Sequence, residues 1–345
     1  MPISFLSPSV FFLGHRVARA AAALCVATVL FALPQVSLAA TFEITPKDKP
    51  IETADFRCVL PDSVTKVRGV LVLVPGAFGD GRNMATERDW QALAEKHQLA
   101  IVACSMKNKE KDWSYQTAAN AGKAILSAIK EFAVLSKHPE IENAPLAFWG
   151  HSAGGQVAYN FTLAHPRRVA AFTVNKGATY EGGSPSNDML KVPGIFFLGS
   201  KDSKERVDNI TNIYEGGRRR GAVWCLVVEK DEGHGVGVSK RMGYQFLDNA
   251  LAARLPGGTP GGGSSTPAAG SSPLSDFPDL NTGGRGPVSG GGPEVKLNDL
   301  PEKDGFIGNL KTGEVTPGAN GGSRTGTSWL LNKDFATAWS DFVKK

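Results

Sequence analysis

Residues 146–155 read Leu-Ala-Phe-Trp-Gly-His-Ser-Ala-Gly-Gly, an apolar run followed at once by a glycine–serine–glycine turn. Leu146–Trp149 has the composition of a covered strand, and Gln156 to Ala164 has helical spacing. Between them Gly150-His151-Ser152-Ala153-Gly154 has the form G-x-S-x-G. On a strand–turn–helix the glycines let two backbones pass closely and the serine hydroxyl is pushed outward. The helix N-terminus beneath adds positive potential where an oxyanion forms. The context makes the pattern informative, because a chain with 40 glycines matches such a motif easily by chance.

The same texture recurs on both sides. Short, nearly all-apolar runs lie at Gly69–Val74, Leu99–Ala103, Val169–Val174, Gly194–Leu198 and Val223–Val228. Continuous runs of this length suit strands covered on both faces. Helical spacing fills the intervals, at Trp90–His97, Thr117–Leu135 and Ser239–Leu255. Alternating β and α predicts an α/β fold, with a mostly parallel sheet and helices on both faces.

A serine nucleophile needs a base, itself oriented by an acid. His234 follows the last strand-like run in a loop flanked by glycines, which makes it the expected base. His97, His138 and His165 read as surface residues at helix ends or in a loop. His151 follows the strand directly and is expected to line the turn. The acid is expected between Ser152 and His234 at a strand's end. Asp202, after Gly199-Ser200-Lys201, is the first choice, with helix capping as its other role. Asp208 is the reserve, and Asp188, Asp231 and Glu232 are less well placed. For the oxyanion hole the expected donors are the backbone N–H groups of Ala153 and of Ala77, with Phe78 as the alternative. Ala77 lies in the glycine-rich loop Pro75–Gly81, which has neither GxGxxG nor the GK[ST] of a phosphate-binding loop. Phe78, His151, Lys176 and Tyr180, with Trp113 and Tyr115 nearby, are candidate substrate contacts; packing is their other reading.

The order Ser152, Asp202, His234 and the loop Pro75–Gly81 resemble an α/β-hydrolase over residues 56–255. Leu73-Val74-Pro75-Gly76, Gly150–Gly155 and Gly199-x-x-Asp202 are similar to secreted enzymes like polyhydroxybutyrate depolymerases, feruloyl esterases and dienelactone hydrolases. Many relatives carry His-Gly at the oxyanion loop where this chain has Pro75-Gly76. About 19 residues separate Val174 from Gly194, too few for a large lipase cap. The resemblance implies hydrolysis of a carboxylic ester through an acyl-enzyme, with no cofactor or metal. The ester could be short-chain, aryl, carbohydrate or polyester.

The ends of the chain differ from this body. Arg16 and Arg19 precede an apolar stretch, Ala20 to Leu33, then Pro34 and the small-x-small site Ser37-Leu38-Ala39. This reads as a signal peptide over residues 1–39 and predicts export to the periplasm or beyond, with no stable membrane span after cleavage. The catalytic domain is then 40–255. In residues 256–293 glycine and proline make up half the sequence, which reads as a linker. Residues 294–345 form a C-terminal segment. There a hairpin is expected around Thr312-Gly313, and Asn332 is the expected cap of an amphipathic helix carrying Leu331, Phe335, Trp339 and Phe342. That helix is too short to stand alone and is expected to dock on the body.

The whole chain has 345 residues, 38 basic against 33 acidic, for a net charge of +5. Loss of Arg16 and Arg19 with the leader would leave +3. That mild charge argues against nucleic acid as a partner. Arg218-Arg219-Arg220 reads as the last turn of a helix. Cys58, Cys104 and Cys225 are too few for a disulfide framework, and no His or Cys spacing suits a metal. The partner expected is an ester substrate, small or polymeric, and oligomeric state is left open. Two other functions are weighed: a peptidase on the same scaffold, and a non-catalytic envelope or polymer binder working through the C-terminal segment.

Overall fold

The computed structural model describes residues 39–109, 112–177, 180–257, 295–318 and 322–345. The chain divides into two compact units, residues 1–37 and 38–345. The first lies outside the described residues, as do all but Ala39 of the expected signal peptide and nearly all of the expected linker.

Eight strands form the main sheet: β1 (Ala40–Ile44), β2 (Thr53–Leu60), β3 (Gly69–Val74), β4 (Leu99–Lys107), β5 (Leu146–His151), β6 (Val169–Asn175), β7 (Gly194–Gly199) and β8 (Trp224–Glu229). Their spatial order is β1-β2-β4-β3-β5-β6-β7-β8. From β4 through β8 every pairing is parallel, whereas β2 runs antiparallel to both β1 and β4. All six residues of β3 and all seven of β6 are buried. Alternate side chains serve two cores, Val70, Val72 and Val74 on one face, Leu71 and Leu73 on the other.

Helices α2 (Lys123–Ser136), α3 (Ala153–Ala164), the single turn α4 (Asn187–Leu190) and α5 (Lys204–Arg219) cover the first face. Helices α1 (Arg88–His97) and α6 (Ser239–Arg254) cover the second through Trp90, Leu93, Phe246 and Leu251. The α2 stretch differs from the continuous helix expected over Thr117–Leu135. It opens with one wide π-type turn, Ala118–Gly122, and becomes regular at Lys123. Among the described residues no helix is long and apolar enough to cross a membrane.

The C-terminal segment forms a second sheet, β10-β9-β11, from β9 (Phe306–Asn309), β10 (Val315–Pro317) and β11 (Thr327–Leu330). Gly313 takes the turn between β9 and β10 at φ +67°, where a side chain would be strained. Helix α7 (Lys333–Val343) follows, its first turn capped by Asn332, whose Oδ1 accepts the Phe335 N–H at 2.9 Å. Trp329, Leu330, Phe335, Ala336 and Trp339 are buried, most of them in the second core. Arg218 lies in the last turn of α5, as the run Arg218-Arg219-Arg220 implied. It is buried, donating to the Thr327 carbonyl at 3.2 Å and pairing with Glu302 at 3.1 Å, and so ties α5 to this segment.

Candidate active site

Ser152 sits between β5 and α3 at φ +52°, ψ −117°, a backbone conformation that side chains rarely adopt. Such strain, on the order of 1–3 kcal/mol, persists only where the surroundings enforce it. Here they do. A Cβ on Gly154 would run into the Val74 carbonyl, and one on Gly150 into the Gly154 backbone. The turn therefore packs too tightly to relax, and the serine side chain is held out at the C-terminal end of β5.

His234 comes from the loop after β8. Its Nε2 lies 2.8 Å from Ser152 Oγ, and its Nδ1 lies 2.8 Å from Asp202 Oδ2. Asp202 follows β7 in a turn closed by its own N–H on the Gly199 carbonyl at 3.0 Å. Its side chain is only 4% exposed. Asp202 Oδ1 accepts the Ser203 N–H at 2.7 Å, and Arg206 lies 3.5 Å away. Burial pushes the Asp202 carboxyl up. The His234 hydrogen bond, the Ser203 N–H and Arg206 outweigh it and hold the group below its ordinary value. Ser203, not Asp202, caps α5, its Oγ accepting from the Arg206 N–H. Asp208 pairs with Lys204 and Asp188 with Arg167, so neither meets His234. Asp231 pairs with Lys201 instead.

Three strand ends thus converge, from β5, β7 and β8, in a sheet ordered β1-β2-β4-β3-β5-β6-β7-β8 with β2 reversed. This is the α/β-hydrolase fold. No family model matches the sequence, and no curated protein matches it either. Among solved structures the chain is similar to a poly(3-hydroxybutyrate) depolymerase from Bordetella parapertussis, at 18% identity and a TM-score of 0.45, over 63% of this chain and 90% of that one. A ferulic acid esterase is similar at 16% identity and a TM-score of 0.46, over 62% and 98%. An esterase from Pyrobaculum calidifontis is similar at 14% identity and a TM-score of 0.45, over 62% and 84%.

Within this hydrolase fold, Ser152 and His234 open onto a cleft of about 550 Å³. Gly76, Ala77, Trp113, Gln116, His151 and Ala153 line it, with Gln156, Glu205 and Arg206. Ala153 is the first residue of α3, so its N–H has no acceptor within the helix. The opposite loop is turned by the Gly79 N–H on the Gly76 carbonyl at 3.1 Å, with Phe78 at φ +58°. Phe78 lies beside the cleft, edge-on to the exposed Trp113 ring at 5.3 Å.

His151 is a cleft residue with a fixed tautomer. Asn175 Nδ2 donates to the Val236 carbonyl at 3.1 Å and to His151 Nδ1 at 3.0 Å, which leaves the proton on His151 Nε2. Burial, then the charges of His234 and Lys176, hold its pKa down at about 4 against a smaller pull from Asp202.

Two expected contacts are elsewhere. Tyr180 packs edge-on to Tyr159 at 4.9 Å, on the first core rather than in the cleft. Lys176 is fully buried against Glu229; it follows β6 in a left-handed conformation, at φ +53°, rather than continuing the strand. Tyr115 is also buried. His97 is not a surface residue: it is buried at the α1–α6 contact with Nε2 2.6 Å from Asp248. Among the described residues Cys58, Cys104 and Cys225 are free and buried, and burial pushes all three thiols up. Sequence reasoning missed Gln156 and Arg206. Each lies four residues after a site residue, Ser152 and Asp202, and that helical spacing was the signal available. Gln116 comes from an irregular turn and left no such signal.

Proposed function

We propose that this chain is an exported serine hydrolase that cleaves carboxylic esters. The observation that carries the reading is the unbroken hydrogen-bonded line Ser152–His234–Asp202, with the serine on a strained strand-to-helix turn. Ser152 Oγ attacks the ester carbonyl carbon while His234 Nε2 takes its proton. The Ala153 and Ala77 amides hold the oxyanion. The tetrahedral intermediate collapses, the C–O bond breaks, and His234 returns the proton to the leaving alcohol. Water, deprotonated by His234, then hydrolyses the acyl-enzyme and frees Ser152. Asp202 fixes the imidazole tautomer and stabilises its protonated form throughout.

The cleft supports a compact substrate. Its lining alternates polar groups, Gln116, Gln156, Glu205 and Arg206, with the open face of Trp113. That favours a short, aryl or hydroxylated ester over a long aliphatic chain. Export rests on the leader-like sequence of residues 1–39.

The test is hydrolysis of a simple aryl acetate by the wild type and by Ser152→Ala. A loss of kcat/KM on the order of 1000-fold or more is expected. Activity kept within about tenfold overturns the reading.

A further inference from the structure

The loop that delivers His234 rests on a buried ion pair. Lys176 Nζ lies 3.1 Å from Glu229 Oε1, and the two side chains are 0% and 1% exposed. Both come from strand ends, Lys176 directly after β6 and Glu229 as the last residue of β8. Each also holds the backbone of the loop. Lys176 Nζ donates to the Gly235 carbonyl at 2.7 Å, one residue beyond His234. Glu229 Oε2 accepts the Val238 N–H at 2.7 Å. The loop closes tightly over the carboxylate: a Cβ on Gly237, at φ +57°, would collide with Glu229. Lys176 itself adopts φ +53°, a strained value for a side-chain-bearing residue.

A buried ion pair is a poor way to gain stability. Desolvating both charges offsets most of their attraction, and apolar replacements of similar volume often do as well. What such replacements cannot do is grip the Gly235 carbonyl and the Val238 N–H from below. Those two grips flank the base on one side and fix the chain that carries it. Misplacement of a catalytic group by about 1 Å can cost on the order of 100-fold in rate.

We infer that Lys176 and Glu229 are positioning residues that seat the His234 loop, rather than substrate contacts or a source of stability. This rests on the proposed role of His234 as base. Neither side chain touches substrate; they act through the backbone of residues 235–238.

The experiment compares the full-length wild type with Lys176→Met and with Lys176→Met/Glu229→Leu. The single variant strands a buried carboxylate and is expected to unfold more readily. The double variant removes both charges and is expected to be more stable than the single variant. Its kcat on an aryl acetate is nevertheless expected to fall on the order of 10- to 100-fold with KM within about threefold, because the cleft is intact and the base is loose. Deuterium uptake by the peptide covering 233–238 is expected to quicken. A double variant with wild-type kcat and unchanged uptake overturns the inference and leaves the pair a structural substitute for apolar packing. Uptake is read without any substrate. Faster uptake in the double variant, beside a wild type that hydrolyses no ester, would sustain the seat while refuting the hydrolase reading.

Discussion

The Trp339 indole Nε1–H donates to the Leu226 carbonyl at 2.8 Å, so the C-terminal helix closes the last strand of the main sheet. Ser328 Oγ takes the Leu226 N–H at 2.9 Å from the neighbouring strand. β8 is the end strand of its sheet, and an uncovered end strand is a template for aggregation. Side chains, rather than a ninth strand, satisfy this edge, and Tyr214 adds a hydrogen bond to the Thr327 carbonyl at 2.7 Å.

Trp339→Ala is therefore expected to destabilise the fold by about 3–5 kcal/mol, the range for emptying a large aromatic site. Urea unfolding measures it. A chain ending at Leu255 loses the whole cover and is expected to precipitate. A soluble, fully active truncation would show the segment to be independent.

Asp202→Asn keeps the side-chain shape and removes the charge that orients His234. The expected loss of kcat is on the order of 1000- to 10000-fold, with KM little changed. Asp208→Asn, on an exposed ion pair with Lys204, is expected to stay within about twofold. Steady-state kinetics of the two variants separates the acids, and the reverse pattern would reassign the third member to Asp208.

His151 makes folding pH-dependent. In the fold it stays neutral down to about 4, whereas unfolded it takes a proton near 6.5. Between those values the unfolded state binds more protons, so stability is full above about 6.5 and is lost as pH falls toward about 4. His151→Gln removes that proton uptake. Urea midpoints across this window are expected to fall less steeply in the variant. Equal slopes would mean that the imidazole is already charged in the fold.

Much of the hydrolase architecture was readable because its strands are buried on both faces and so appear as unbroken apolar runs. Gly69–Val74 is read to the residue, and the others end within a few positions of their observed limits. β2 escaped notice for the opposite reason. Asp55 and Arg57 alternate with Ala54, Phe56 and Cys58, so it has the period of a half-covered strand and not an apolar run. The residues Ser152, Asp202 and His234 were legible because each terminates or follows a recognisable strand. Lys176 follows one as well, and that placement alone suggested a substrate contact. Which way a side chain turns at a strand end depends on its partner, and Glu229 lies 53 positions away in sequence. Arg218 hid in the same manner, since Glu302 and Thr327 lie beyond the linker-like stretch.

The most direct test of the account is the intact mass of the folded protein after exposure to a fluorophosphonate. One adduct on the wild type, absent from Ser152→Ala, is the predicted result, because only a serine activated by His234 attacks phosphorus quickly. A folded wild type that takes no adduct, or a Ser152→Ala variant that takes the same one, would contradict it.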